Sequence, residues 1–167
     1  MASFLQSLFG GKKKEFVSNS QTVKIEKDPD YPTEDILRFG DGKDDYFPVE
    51  GTQEDKEALR KILSLVIESP TQLKKIRDLP LEKRPLLIRN HAKTDCGGYC
   101  NGATISITPL SGTGYEAAGI FCHEFQHQYQ HVKGDLDKWR YQGLTLSESI
   151  LNDRMFEAAA DTANYQY

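Results

Sequence analysis

No stretch of this chain is apolar for long enough to form a membrane-spanning helix, so a helical membrane span is excluded. Cysteine is scarce. Cys96, Cys100 and Cys122 are too few and too odd in number for a disulfide scaffold, which points to a reducing compartment. There is no excess of positive charge: 21 Lys and Arg stand against 25 Asp and Glu, and Lys12, Lys13 and Lys14 form the one dense basic run. A net charge of −4 without a basic stripe argues against a nucleic-acid surface. The N-terminus, MASFLQSLFGGKKK, lacks the order of a secretory signal, because its apolar patch precedes the lysines instead of following them. Cytoplasmic residence, or delivery by another route, is therefore expected. No internal repeat is visible.

What is present is the composition of a globular protein, 38% apolar and 28% charged over 167 residues, enough for one domain with its own core. Residues 1–20 read as a flexible leader broken by Gly10 and Gly11, and 21–167 as the single domain. Residues 22–26 (TVKIE) alternate like a short strand before a Pro29 and Pro32 turn. The acidic stretch 39–51 lacks the ligand spacing of a calcium loop and reads as a solvated loop. Thr52 caps a helix that Pro70 stops, and a shorter helix follows over 71–79. Strands are predicted at 85–89 and 104–108, and a helix from Tyr115 to Val132 stopped by Gly134. Thr145 and Glu148 form a capping-box pattern opening a last helix with Ile150, Leu151, Met155, Phe156 and Ala159 on its apolar side. The expected fold class is α+β: a small, partly antiparallel sheet packed on the 115–132 helix and the last helix, with an N-terminal scaffold helix.

Chemistry concentrates in His123-Glu-Phe-Gln-His127. Residues four apart on a helix point the same way, so both imidazoles can reach one ion while Glu124 stands beside them. Zinc suits such donors and, in catalytic sites, keeps a fourth position open for water. Two ligands do not hold a catalytic zinc, so a third must come from elsewhere. Glu157 on the last helix is the candidate, with Glu148 as the alternative. Asp161, one turn beyond Glu157, is within reach of a ligand histidine's other ring nitrogen. His131 lies a turn too far along to join the same ion and reads as a surface or supporting residue. His91 with Cys96 and Cys100 matches no common zinc knuckle and reads as a loop lining the cleft, and Cys122 as a small buried hydrophobe.

HEFQH followed by Glu157-Ala-Ala-Ala-Asp161 resembles the zincin metallopeptidases, and within them the gluzincin branch, whose downstream helix carries a glutamate ligand in an E-x-x-x-D pattern. The segment Gly97-Gly98-Tyr99, the strand Ile105 to Ile107 and the run His123 to Gln130 also look like those of small bacterial metallopeptidases, with the two glycines at a turn. The resemblance implies a zincin-like fold, a zinc cofactor, and hydrolysis of a peptide or protein substrate lying along the 104–108 strand as an edge. Glu124 would act as general base. It leaves open which of Tyr99, Tyr141 and Tyr165 assists the developing oxyanion. The competing expectations are an inactive zinc module that holds a protein partner, and a delivered effector or toxin protease.

Overall fold

A computed structural model describes residues 22–92, 96–134, 154–155 and 157–162. The leader at 1–20, Glu148 and its capping box, Tyr141 and Tyr165 lie outside the described residues.

Six strands form one mixed sheet: β1 (Lys24–Lys27), β2 (Asp35–Arg38), β3 (Tyr46–Val49), β4 (Leu86–Arg89), β5 (Gly98–Cys100) and β6 (Thr104–Ile107), in spatial order β1-β2-β3-β4-β6-β5. Both flanks are antiparallel, and the middle, β3-β4-β6, is parallel. Helices α1 (Gln53–Val66), α2 (Pro70–Asp78) and α3 (Tyr115–Val132) complete an α+β fold. Among the described residues no helix is long and apolar enough to cross a membrane.

Local chemistry accounts for the helix ends. Thr52 Oγ1 accepts from the Asp55 N–H at 3.1 Å while Asp55 Oδ2 accepts from the Thr52 N–H at 3.2 Å, a reciprocal cap worth ~1 kcal/mol. Pro70 does more than end α1. It is the first residue of α2, where its missing N–H costs nothing, behind the Ser69 cap. Past Val132, Gly134 adopts φ +72°, the left-handed turn that glycine takes without steric cost.

Three expectations need correction. The 39–51 stretch is not all loop, since Tyr46–Val49 is β3 and Phe47 is fully buried. The 104–108 strand is not an edge: β6 pairs with β4 on one side and β5 on the other, so among the described residues β5 is the outer strand at this end of the sheet. The Gly97-Gly98-Tyr99 segment runs into that edge strand and is not a turn.

The core fixes α3 against the sheet. Phe121 and Phe125, one turn apart, both meet Phe47 edge-on at 5.9 and 6.0 Å between ring centroids. Truncating either ring to alanine costs ~3–5 kcal/mol. Ala117, Ala118 and Cys122 are buried on the same side, and burial pushes the Cys122 thiol up to about 12, the small inert hydrophobe expected of it. With 3.6 residues per turn, this face leaves Glu116, Ile120, His123 and His127 on the other side of the helix.

Candidate metal centre

His123 and His127 present their Nε2 atoms to each other at 3.1 Å, each imidazole about one-fifth exposed. The helical segment 157–162 brings a carboxylate to the same point: Glu157 Oε2 is 3.5 Å from His123 Nε2, and Glu157 Oε1 is 3.4 Å from His127 Nε2. That segment is seated through Ala160, which is fully buried. These three side chains form the one group among the described residues able to hold a metal ion, their ligand atoms all within 4.8 Å of one another.

The protons on the far sides of the rings give the convergence its meaning. His123 Nδ1 faces Asp161 Oδ1 at 3.1 Å, and His127 Nδ1 faces Gln130 Oε1 at 3.2 Å. A carboxylate or amide oxygen only accepts, so each Nδ1 donates and the two Nε2 atoms face inward. A cation placed between the two ring nitrogens and the carboxylate would be attracted by all three. The three side chains, with ligand atoms within 4.8 Å of one another, could hold one metal ion. Imidazole nitrogen with carboxylate oxygen is also a donor set that zinc accepts.

Glu124 stands next to this group and is not part of it. Its carboxyl is held above the ordinary carboxylate range chiefly by burial, with His123 and His127 pulling it down and Glu157 pushing it up. Edge strand β5 packs directly on it. A Cβ added to Gly98 would lie 2.6 Å from Ile120 Cγ2, 2.9 Å from Glu124 Cγ and 3.2 Å from Glu124 Oε1. Only glycine lets the strand come this close to α3. Beside Glu124 opens a cleft of about 430 Å³, lined by Gly97 and Gly98 of the edge, Leu110 and Ser111 of the following turn, and Glu116 and Ile120 of α3.

The remaining sequence candidates separate. His131 is exposed, as expected. Cys96 lines the cleft, but His91 does not: its Nε2 is 2.7 Å from Asp55 Oδ1 at the start of α1, and Cys100 Sγ faces Gln128. Tyr99 is turned away from the site. Gly98 and Cys100 face α3, and the alternation of a strand sends Tyr99 to the opposite side, where it is 59% exposed. Gln130 was visible in the sequence but carried no assigned role, and Gly98 was read only as part of a turn. For Gln130 the signal was its spacing, three residues past His127 and one turn along the helix.

No family model, no curated protein and no solved structure matches the chain.

Proposed function

We propose that this protein is a zinc-dependent peptidase of the zincin type, with His123, His127 and Glu157 as metal ligands and Glu124 as general base. The single observation that carries the reading is the inward convergence of three electron-pair donors whose outer ring protons are already committed to Asp161 and Gln130. Zinc bound there would lower the pKa of a coordinated water from ~15.7 towards ~7 and polarise a substrate carbonyl.

The chain's own residues do the rest. Asp161 and Gln130 hold the two imidazoles in the tautomer that leaves Nε2 free to ligate. Glu124, half-buried beside the ligands, accepts a proton from the attacking water and returns it to the leaving amine. Burial raises its proton affinity towards the range that such a shuttle needs. Among the described residues no strand pairs with the outer side of β5, and an extended peptide would add there as a further strand above Glu124. A purely structural zinc would be closed by a fourth protein ligand, and among the described residues the group numbers three.

The test is metal analysis together with cleavage mapping on a complex peptide mixture. Wild type should carry about one zinc per chain and cut peptides. Glu124→Gln should keep the zinc and lose the cutting. Undiminished cleavage by Glu124→Gln removes the mechanism, and absence of bound zinc removes the site.

A further inference from the structure

The cleft beside Glu124 has a chemical bias that the proposed reaction does not use. Residues 116, 120 and 124 follow one another at single-turn spacing, so Glu116, Ile120 and Glu124 form a line along α3 of roughly 12 Å. Glu124 ends that line beside the metal group, and Glu116, two turns away, lines the same cleft. The lining also carries apolar Ile120 from the helix and Leu110 from the turn across it, beside polar Thr108 and Ser111. Among the described residues no lysine or arginine lines the cleft. Glu116 is exposed, and among the described residues it has no hydrogen-bond or ion-pair partner.

A cleft that offers the apolar surface of Ile120 and Leu110 together with the exposed carboxylate of Glu116 is complementary to a long aliphatic side chain that ends in a cation. Building on the peptidase reading above, we infer that this cleft selects a lysine or arginine in the substrate at one position flanking the scissile bond. The methylenes would lie on Leu110 and Ile120 and the cationic end would meet Glu116. An extended basic side chain, met by the glutamate's own length, can bridge the distance between the reacting carbonyl and position 116. An acidic side chain in the same place would face Glu116 with Glu124 behind it, which disfavours it. Glu116 is thus a specificity residue and takes no part in bond cleavage.

The test separates recognition from cleavage. Zinc-loaded Glu124→Gln protein, immobilised, is used to select from a randomised decapeptide library, and the retained pool is sequenced. Lysine and arginine should be enriched about three- to fivefold over glutamine at a single position, the discrimination expected of one solvent-accessible ion pair. Adding Glu116→Gln should flatten that enrichment, and adding Glu116→Lys should turn it towards aspartate and glutamate. A retained pool with no basic preference, or one that survives both substitutions, overturns the inference. Cleavage of the same library by wild type is scored in parallel. If basic peptides are retained through Glu116 yet wild type cuts nothing, the recognition stands and the peptidase reading fails.

Discussion

Replacing Gly98 with alanine tests whether the edge strand positions the Glu124 carboxylate. The added methyl would lie 2.6 Å from Ile120 Cγ2 and 2.9 Å from Glu124 Cγ. Carbon atoms rest at ~3.5–4.0 Å, so β5 and α3 must part by roughly 1 Å or the Glu124 side chain must move. Overpacking of this kind costs ~1–3 kcal/mol. For a domain of this size a cost of ~2 kcal/mol lowers Tm by roughly 4–8 °C. Activity should suffer more than stability, because a general base displaced by about 1 Å can lose ~100-fold in rate.

Gly97 supplies the control. Its added Cβ would approach Ile120 Cδ1 at 2.6 Å, with its next neighbours at 3.4 Å or beyond. That methyl is the far end of a side chain that can rotate, so Gly97→Ala should cost little and leave Glu124 where it is. Thermal unfolding, zinc content and kcat/KM on one cleaved peptide, measured for both variants, decide the matter. Gly98→Ala is expected to keep its zinc, unfold earlier and lose about 10- to 100-fold in kcat/KM, while Gly97→Ala stays near wild type. If Gly98→Ala unfolds early yet turns over like wild type, the strand does not position Glu124. If the two variants lose activity equally, the argument from the Glu124 contact is refuted.

Two further outcomes follow from side chains around the site and the sheet. Gln130→Leu removes the acceptor on His127 Nδ1 and should weaken zinc binding ~10- to 100-fold in competition with a chromogenic chelator, whereas Gln130→Glu, which keeps an acceptor there, should restore most of it; equal affinity in all three proteins would deny Gln130 a positioning role. Burial works against ionisation of Asp45, but the Arg77 guanidinium, the Gly42 N–H and the charge of Arg84 outweigh it and hold the carboxyl below its ordinary value. A depressed folded-state pKa contributes stability above the unfolded value of ~3.9 and loses it as pH falls through the folded value. Urea unfolding of wild type and Arg77→Gln, both in chelator, should therefore show a gap near pH 6 that closes below ~4; a gap independent of pH would contradict the assignment.

How far the site could be read from sequence depended on whether its parts were local. The bounds of α3 were legible from Tyr115 to Val132, because the pattern of Phe121, Cys122 and Phe125 against His123, Glu124 and His127 repeats within one helix and Gly134 ends it. The same locality made His123 and His127 a pair before any coordinates, and the E-x-x-x-D spacing offered Glu157 and Asp161 together. Strands β2 and β3 were not legible. DILR and YFPV are four residues each, and Pro48 cannot donate to a ladder, so nothing local distinguishes β3 from the acidic loop before it. Its place is decided by non-local pairing, Ile36 opposite Pro48 and Val49 opposite Leu87, which no periodicity encodes.

The misassigned edge follows from the same limit and has the larger consequence. TISI at 104–107 has the β-branched character of a strand, while GYC at 98–100 carries a glycine that weakens one. The resemblance gave the edge to the stronger strand, and the fold reverses that assignment. β6 is buried between β4 and β5 because its side chains, Ile105 and Ile107, are fully buried in the core. The outer position falls to β5, whose glycines are poor strand formers but are the only residues that let backbone lie against Ile120 and Glu124. A strand optimised for its own stability would carry a side chain at position 98 and hold the sheet edge off the helix. Weak local propensity at 97–98 is thus the condition for a close edge, and it keeps any peptide paired with β5 within reach of the carboxylate on α3.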